Sequence, residues 1–144
     1  MVGRMEALVL GLLGWIVSAT GYPMPAAPPS VEFVSHACIR DTACAGRECA
    51  VGAMYLRARV VYMDDRLDPT GNLYDSAVLL HELAHYVQER SGRFREESCR
   101  AWLAEEREAY TLQARWLRER HRRYPLQRQL PPADLCDREE PPAD

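Results

Sequence analysis

The chain contains no lysine: all 18 of its basic residues are arginine. No fold requires that bias, so it carries no functional weight. Other absences exclude more. At 144 residues there is no room for two ordinary domains. A formal net charge of −3, with 27% charged residues, leaves no general basic surface, so nucleic acid is not an expected partner. The apolar run from Ala7 to Val17 is well short of the ~20 residues a membrane-spanning helix needs. The five cysteines include no Cys-x-x-Cys pair, which argues against a cysteine zinc cluster. With 47% hydrophobic residues the composition is that of one ordinary globular core.

What is present begins with an export signal. Arg4 precedes the apolar run, and Val17-Ser18-Ala19 supplies small residues at the spacing a signal peptidase reads. Residues 1–19 are therefore read as a signal peptide cleaved near Ala19, giving a secreted or periplasmic protein with no lasting membrane anchor. In an oxidising compartment Cys38, Cys44, Cys49, Cys99 and Cys136 are expected to form two disulfides and leave one thiol free. The close trio at 38, 44 and 49 invites a local bridge, and the distant pair at 99 and 136 a long clasp. Residues 20–30, rich in proline and alanine, read as an extended, mobile lead, with folding beginning near Val31. The domain then spans 31–124. Residues 125–144 form a proline- and acid-rich tail that carries Pro-Pro-Ala-Asp at 131–134 and 141–144.

Within the domain, Tyr55 to Met63 is rich in β-branched and aromatic residues, with Arg57 and Arg59 alternating against apolar neighbours, a strand pattern. Turn-forming residues follow from Asp64 to Asn72. A helix capped by Asp75 or Ser76 is expected over Ala77–Arg90, ending where Gly92 can take the left-handed position. A second helix is expected from Glu96 to Arg123, stopped by Pro125, with Trp102, Leu103, Ala109, Tyr110, Leu112, Trp116 and Leu117 on one face. The arginines at 115, 118, 120, 122 and 123 read as a solvated face complementing the helix dipole. The fold class is α+β.

The first helix carries His81-Glu82-Leu83-Ala84-His85. Residues four apart lie one turn above each other, so both imidazoles can reach one ion with Glu82 beside them. Zinc suits neutral imidazole, usually takes three protein ligands in catalytic sites and keeps a position for water, from which Glu82 can remove a proton as general base. The third ligand is sought on the next helix. Glu106 falls nearest the centre of its apolar face, Glu105 lies towards the edge and Glu108 points away. A carboxylate on an apolar face needs a partner, either the metal or an arginine such as Arg107 or Arg100. Cys99, two turns before Glu106 on that face, should point inward and bridge to Cys136. His36 and His121 stand alone and read as ordinary histidines.

The strand, the histidine-glutamate helix and the segment Glu106-Arg107-Glu108-Ala109-Tyr110 resemble the gluzincin group of zinc metallopeptidases. They also resemble uncharacterised exported bacterial proteins with Glu-x-x-Ala-Tyr after the motif helix. In gluzincins the third ligand is a glutamate three positions before a small residue, which carries over to Glu106 and Ala109. Tyr110 stands where many members have Asp or Asn. The resemblance implies a small zincin-like domain with a motif helix, a long second helix and a short β-sheet edge. It implies one zinc ion held by His81, His85 and Glu106, and a peptide or protein substrate. It places Arg57 to Met63 along the cleft edge, where an extended peptide adds as a strand. An oxyanion donor is sought at Tyr110 or Tyr86, of which Tyr86 fits core packing better. The expected function is a secreted zinc metallohydrolase that cleaves peptide bonds with a zinc-bound water activated by Glu82. The alternative is a non-catalytic, disulfide-stabilised binding protein on the same scaffold.

Overall fold

A computed structural model of the chain describes residues 3–49, 51–56, 59–94 and 96–138. The elements in order are α1 (Arg4–Thr20), β1 (Ser30–Val34), α2 (His36–Ala43), β2 (Ala53–Leu56), β3 (Val60–Asp64), α3 (Leu73–Ser91), α4 (Cys99–Glu119) and α5 (Leu126–Gln129), with a 3-10 turn at Leu135–Asp137. The domain is α+β, and its central feature is α3, which packs against α1, α4 and the sheet.

The start of α3 is set by Asn72, whose side chain accepts hydrogen bonds from the backbone N–H groups of Tyr74 and Asp75. The cap therefore lies three residues before the expected Asp75, and Ser76 instead donates its hydroxyl to the Pro69 carbonyl. Its end is at Gly92, with φ 71°. That left-handed conformation is one glycine adopts without a Cβ penalty. In α4, Ser98 caps the first turn by accepting from the Ala101 amide. The helix stops at Glu119, short of Arg123, because the chain turns through His121 at φ 59°, and the Arg120 and Arg122 amides both close on the Leu117 carbonyl.

The strand expected from Tyr55 to Met63 is two strands of a hairpin, reversed through Arg59 at φ 60°. Arg57, at the start of the proposed cleft-edge segment, lies outside the described residues. The three strands are ordered β1-β3-β2, with β1 parallel and β2 antiparallel to β3. This corrects the expected cleft edge: β3 is hydrogen-bonded on both sides and cannot accept a further strand, whereas β2 is an edge strand among the described residues.

The packed unit of the full chain begins at α1 rather than at Val31. Val9, Leu12, Leu13 and Ile16 of α1 are buried in one cluster with Leu79, Leu80, Leu83, Leu112 and Leu117. Trp15 Nε1 also donates to Glu119 Oε1 at 2.9 Å. The lead is pinned rather than loose: Tyr22 is buried, and the Tyr86 hydroxyl donates to the Ala27 carbonyl at 2.5 Å. No helix among the described residues is long and apolar enough to cross a membrane.

Disulfides join Cys44 to Cys49 and Cys99 to Cys136, and Cys38 is free and exposed. Cys99 is exposed, not inward, so the clasp runs along the outside of α4. The tail is held there by further contacts, from Arg107 to the Pro131 carbonyl and from Arg100 to Asp137. Both arginines that might have paired with Glu106 are thus engaged elsewhere.

Candidate metal centre

Where α3 lies against α4, the two histidines of the motif meet Glu106. His85 Nε2 is 2.5 Å and His81 Nε2 is 3.6 Å from Glu106 Oε1, and the two Nε2 atoms are 3.2 Å apart. One ligand atom from each residue lies within 4.8 Å of the others, a group able to hold a metal ion. The helix spacing explains the histidines. Glu106 arrives because it faces the same way as buried Leu103, Ala109, Gln113 and Leu117. Trp102, one turn earlier, is 48% exposed instead of forming the centre of the apolar face, and it lines the cleft beside the cluster.

Both imidazoles are oriented by glutamines that the sequence reading did not single out. Gln113 Oε1 accepts from His81 Nδ1 at 3.1 Å, and Gln88 Oε1 accepts from His85 Nδ1 at 2.8 Å. An amide oxygen only accepts, so both Nδ1 atoms carry protons and both Nε2 atoms face Glu106. Glutamine carries no motif signal. Only its helical register, Gln88 one turn beyond His85 and Gln113 two turns beyond Glu106, could have pointed to these positions.

The electrostatics show what the cluster demands. Burial opposes charge on His85, but the hydrogen bond to Glu106 and the nearby Glu82 outweigh it and raise its pKa to about 9. Burial likewise opposes charge on Glu106, yet the two imidazoles hold its carboxyl down at about 2. Three converging acceptors need positive charge between them. A proton on His85 supplies it at neutral pH, and a metal ion would displace that proton. Two imidazole nitrogens and a carboxylate oxygen fit zinc.

Glu82 lines the same cleft, and its pKa is raised by burial, against the lowering effect of His81 and His85; the Tyr55 backbone N–H hydrogen-bonds its carboxylate. The cleft, about 660 Å³, is also lined by Met54, Tyr55, Phe94, Trp102, Glu105 and Tyr110. The Tyr110 ring centroid is 4.4 Å from that of His81, and its pKa is raised by burial and then by Glu106. Tyr86 is core, as expected. Glu105 borders the cleft but is not in the cluster. Glu108 does not point away: it accepts from Gln88 Nε2 at 3.0 Å and from the Tyr22 hydroxyl at 2.6 Å.

His36 belongs to a separate cluster, with Nδ1 2.8 Å from Asp64 and Nε2 2.7 Å from Glu48. His121 is exposed.

Fold and site together define a small α+β domain with a His-His-Glu cluster able to hold a metal ion. The chain matches the family described as a domain of unknown function, DUF6647, over residues 2–127, and it belongs to that family. The match takes in α1 as well as both site helices. No curated protein and no solved structure matches the chain.

Proposed function

We propose that this protein is a zinc-dependent hydrolase acting on peptide bonds, with His81, His85 and Glu106 as the metal ligands and Glu82 as general base. The observation that carries the reading is the convergence of the two Nε2 atoms on Glu106 at the wall of a cleft that also holds a raised carboxyl, Glu82. Bound zinc would polarise a substrate carbonyl and lower the pKa of water towards neutrality. The rest falls to the chain. A Glu82 pKa raised by burial suits it to take a proton from water and return it to the leaving amine. β2 is the edge strand of the sheet, and its Ala53, Met54 and Tyr55 line the cleft, a placement that suits an extended peptide backbone. Tyr110, beside His81, is the nearest candidate to donate to a developing oxyanion. The two disulfides accord with an oxidising compartment, and we place the protein outside the cytoplasm on the strength of them.

The test is metal analysis of the purified protein and of Glu82→Gln, each assayed on a mixed peptide pool. Zinc in both proteins with hydrolysis only by the parent supports the reading. Zinc in both with hydrolysis by neither supports a non-catalytic binding protein on the same scaffold. An absence of stoichiometric metal in the parent sinks both the ligand set and the mechanism.

A further inference from the structure

The hydrogen bonds around His85 do not end at Gln88. Gln88 is 1% exposed, and its Nε2 donates to the Glu105 carbonyl and to Glu108 Oε1, both at 3.0 Å. Two acceptors on that side leave only one orientation for the amide, with Oε1 turned to His85 Nδ1. Glu108 is held in turn by the Tyr22 hydroxyl on Oε2. Tyr22 is 7% exposed, its amide donates to Thr20 Oγ1, and the Arg93 guanidinium lies 5.7 Å from its ring centroid. A continuous strut thus runs from the segment after α1, through α4, to the imidazole on α3.

We propose that Tyr22, Glu108 and Gln88 are positioning residues which decide which nitrogen of His85 faces Glu106, so that docking of the segment after α1 helps set the affinity of the cluster for a divalent metal. The affinity clause rests on the metal-site reading above, whereas the choice of nitrogen does not. None of the three is offered as a ligand. Each acts through the next, and hydrogen-bond partners of metal-bound histidines typically matter 10–100-fold in affinity.

The test uses the full chain and two readouts: zinc affinity by competition with a chromophoric chelator, and the ¹⁵N shifts of His85 at pH 10 without metal. In the parent, Nδ1 should read as the protonated nitrogen. Gln88→Leu should lose that preference and bind zinc roughly 10–100-fold more weakly. Glu108→Leu and Tyr22→Phe should follow in decreasing order, while Glu108→Gln, which keeps an acceptor and a hydrogen-bonding partner for Tyr22, should stay closer to the parent than Glu108→Leu. Ile39→Ala, a core truncation on α2 away from the strut, controls for general loss of stability: it should lower the melting temperature and leave both readouts unchanged. Parent-like shifts and affinity in Gln88→Leu and Tyr22→Phe would overturn the proposal. So would an Ile39→Ala loss of affinity equal to theirs. If the parent takes up no zinc, the metal-site reading and the affinity clause fail, and the ¹⁵N shifts still decide whether the strut selects the nitrogen.

Discussion

Two histidine-carboxylate clusters lie among the described residues, and they differ in what they leave open. Around His36, both ring nitrogens are taken by carboxylates, and Arg66 closes on Asp64 through its backbone amide, Nε and Nη2 at 2.7–3.0 Å. Positive charge is already built in, and Asp64, 2% exposed, is held well below the usual carboxylate range first by the Arg66 guanidinium and then by His36. Around His81 and His85, neutral amides take the Nδ1 atoms, no arginine among the described residues pairs with Glu106, and the Nε2 atoms converge on its carboxylate. The first cluster is a finished tie between α2 and β3, whereas the second calls for a cation. Proximity of histidine to carboxylate does not distinguish them. The identity of the second partner does.

The contrast can be broken in order of expected effect. Glu106→Ala should abolish stoichiometric metal binding, whereas Glu105→Ala should retain it, read by metal analysis of the two purified variants. If Glu105→Ala alone empties the site, the ligand assignment is wrong. Asp64→Ala should leave metal binding intact and destabilise the fold by about 1–3 kcal/mol, the usual cost of stranding the partners of a buried charged hydrogen-bonding group, visible as a lower urea midpoint.

The two clusters should also answer pH in different ways. Metal entering the second must displace the His85 proton, so apparent affinity should rise by up to about tenfold per pH unit until about pH 9 and level off above it. A pH-independent affinity between pH 6 and 8 would contradict that picture. Asp64 has a depressed folded pKa, so its contribution to stability is present above the ordinary carboxylate range and is lost as pH falls through and below it, because the unfolded chain takes up the proton first. Thermal melts from pH 7 to pH 3 should therefore fall less steeply for Asp64→Asn than for the parent. The smallest effect is reserved for Glu48→Gln: with a side chain 72% exposed, it should shift neither the urea midpoint nor metal binding measurably.

Chemistry was more legible in the sequence than packing. His81, Glu82 and His85 are visible because their spacing is a helical turn, and Glu106 because a carboxylate on an apolar face needs a reason to be there. The glycine stop at Gly92, a local bridge within the trio at 38, 44 and 49 and the long Cys99–Cys136 clasp were legible from spacing, but which two of the trio pair was not. The hairpin inside Tyr55–Met63 was not, since Arg59 takes a positive φ without glycine, asparagine or aspartate to announce it. Nor was the core role of α1, because an apolar run built for export and one built for burial share a composition. β1 and α2 are short and only weakly patterned. Gln88, Gln113 and Glu108 escaped because their work is set by contacts across helices that one-dimensional spacing does not contain.

The seating of α1 has a consequence for the order in which the chain folds. Trp15 meets Glu119 across 104 positions and Tyr22 meets Glu108 across 86. Contacts so distant in sequence are slow to close, since loop entropy must be overcome before they yield stabilisation. Helix α1 is therefore among the last of these elements to find its place, and α3 and α4 can come together before the strut beneath His85 exists.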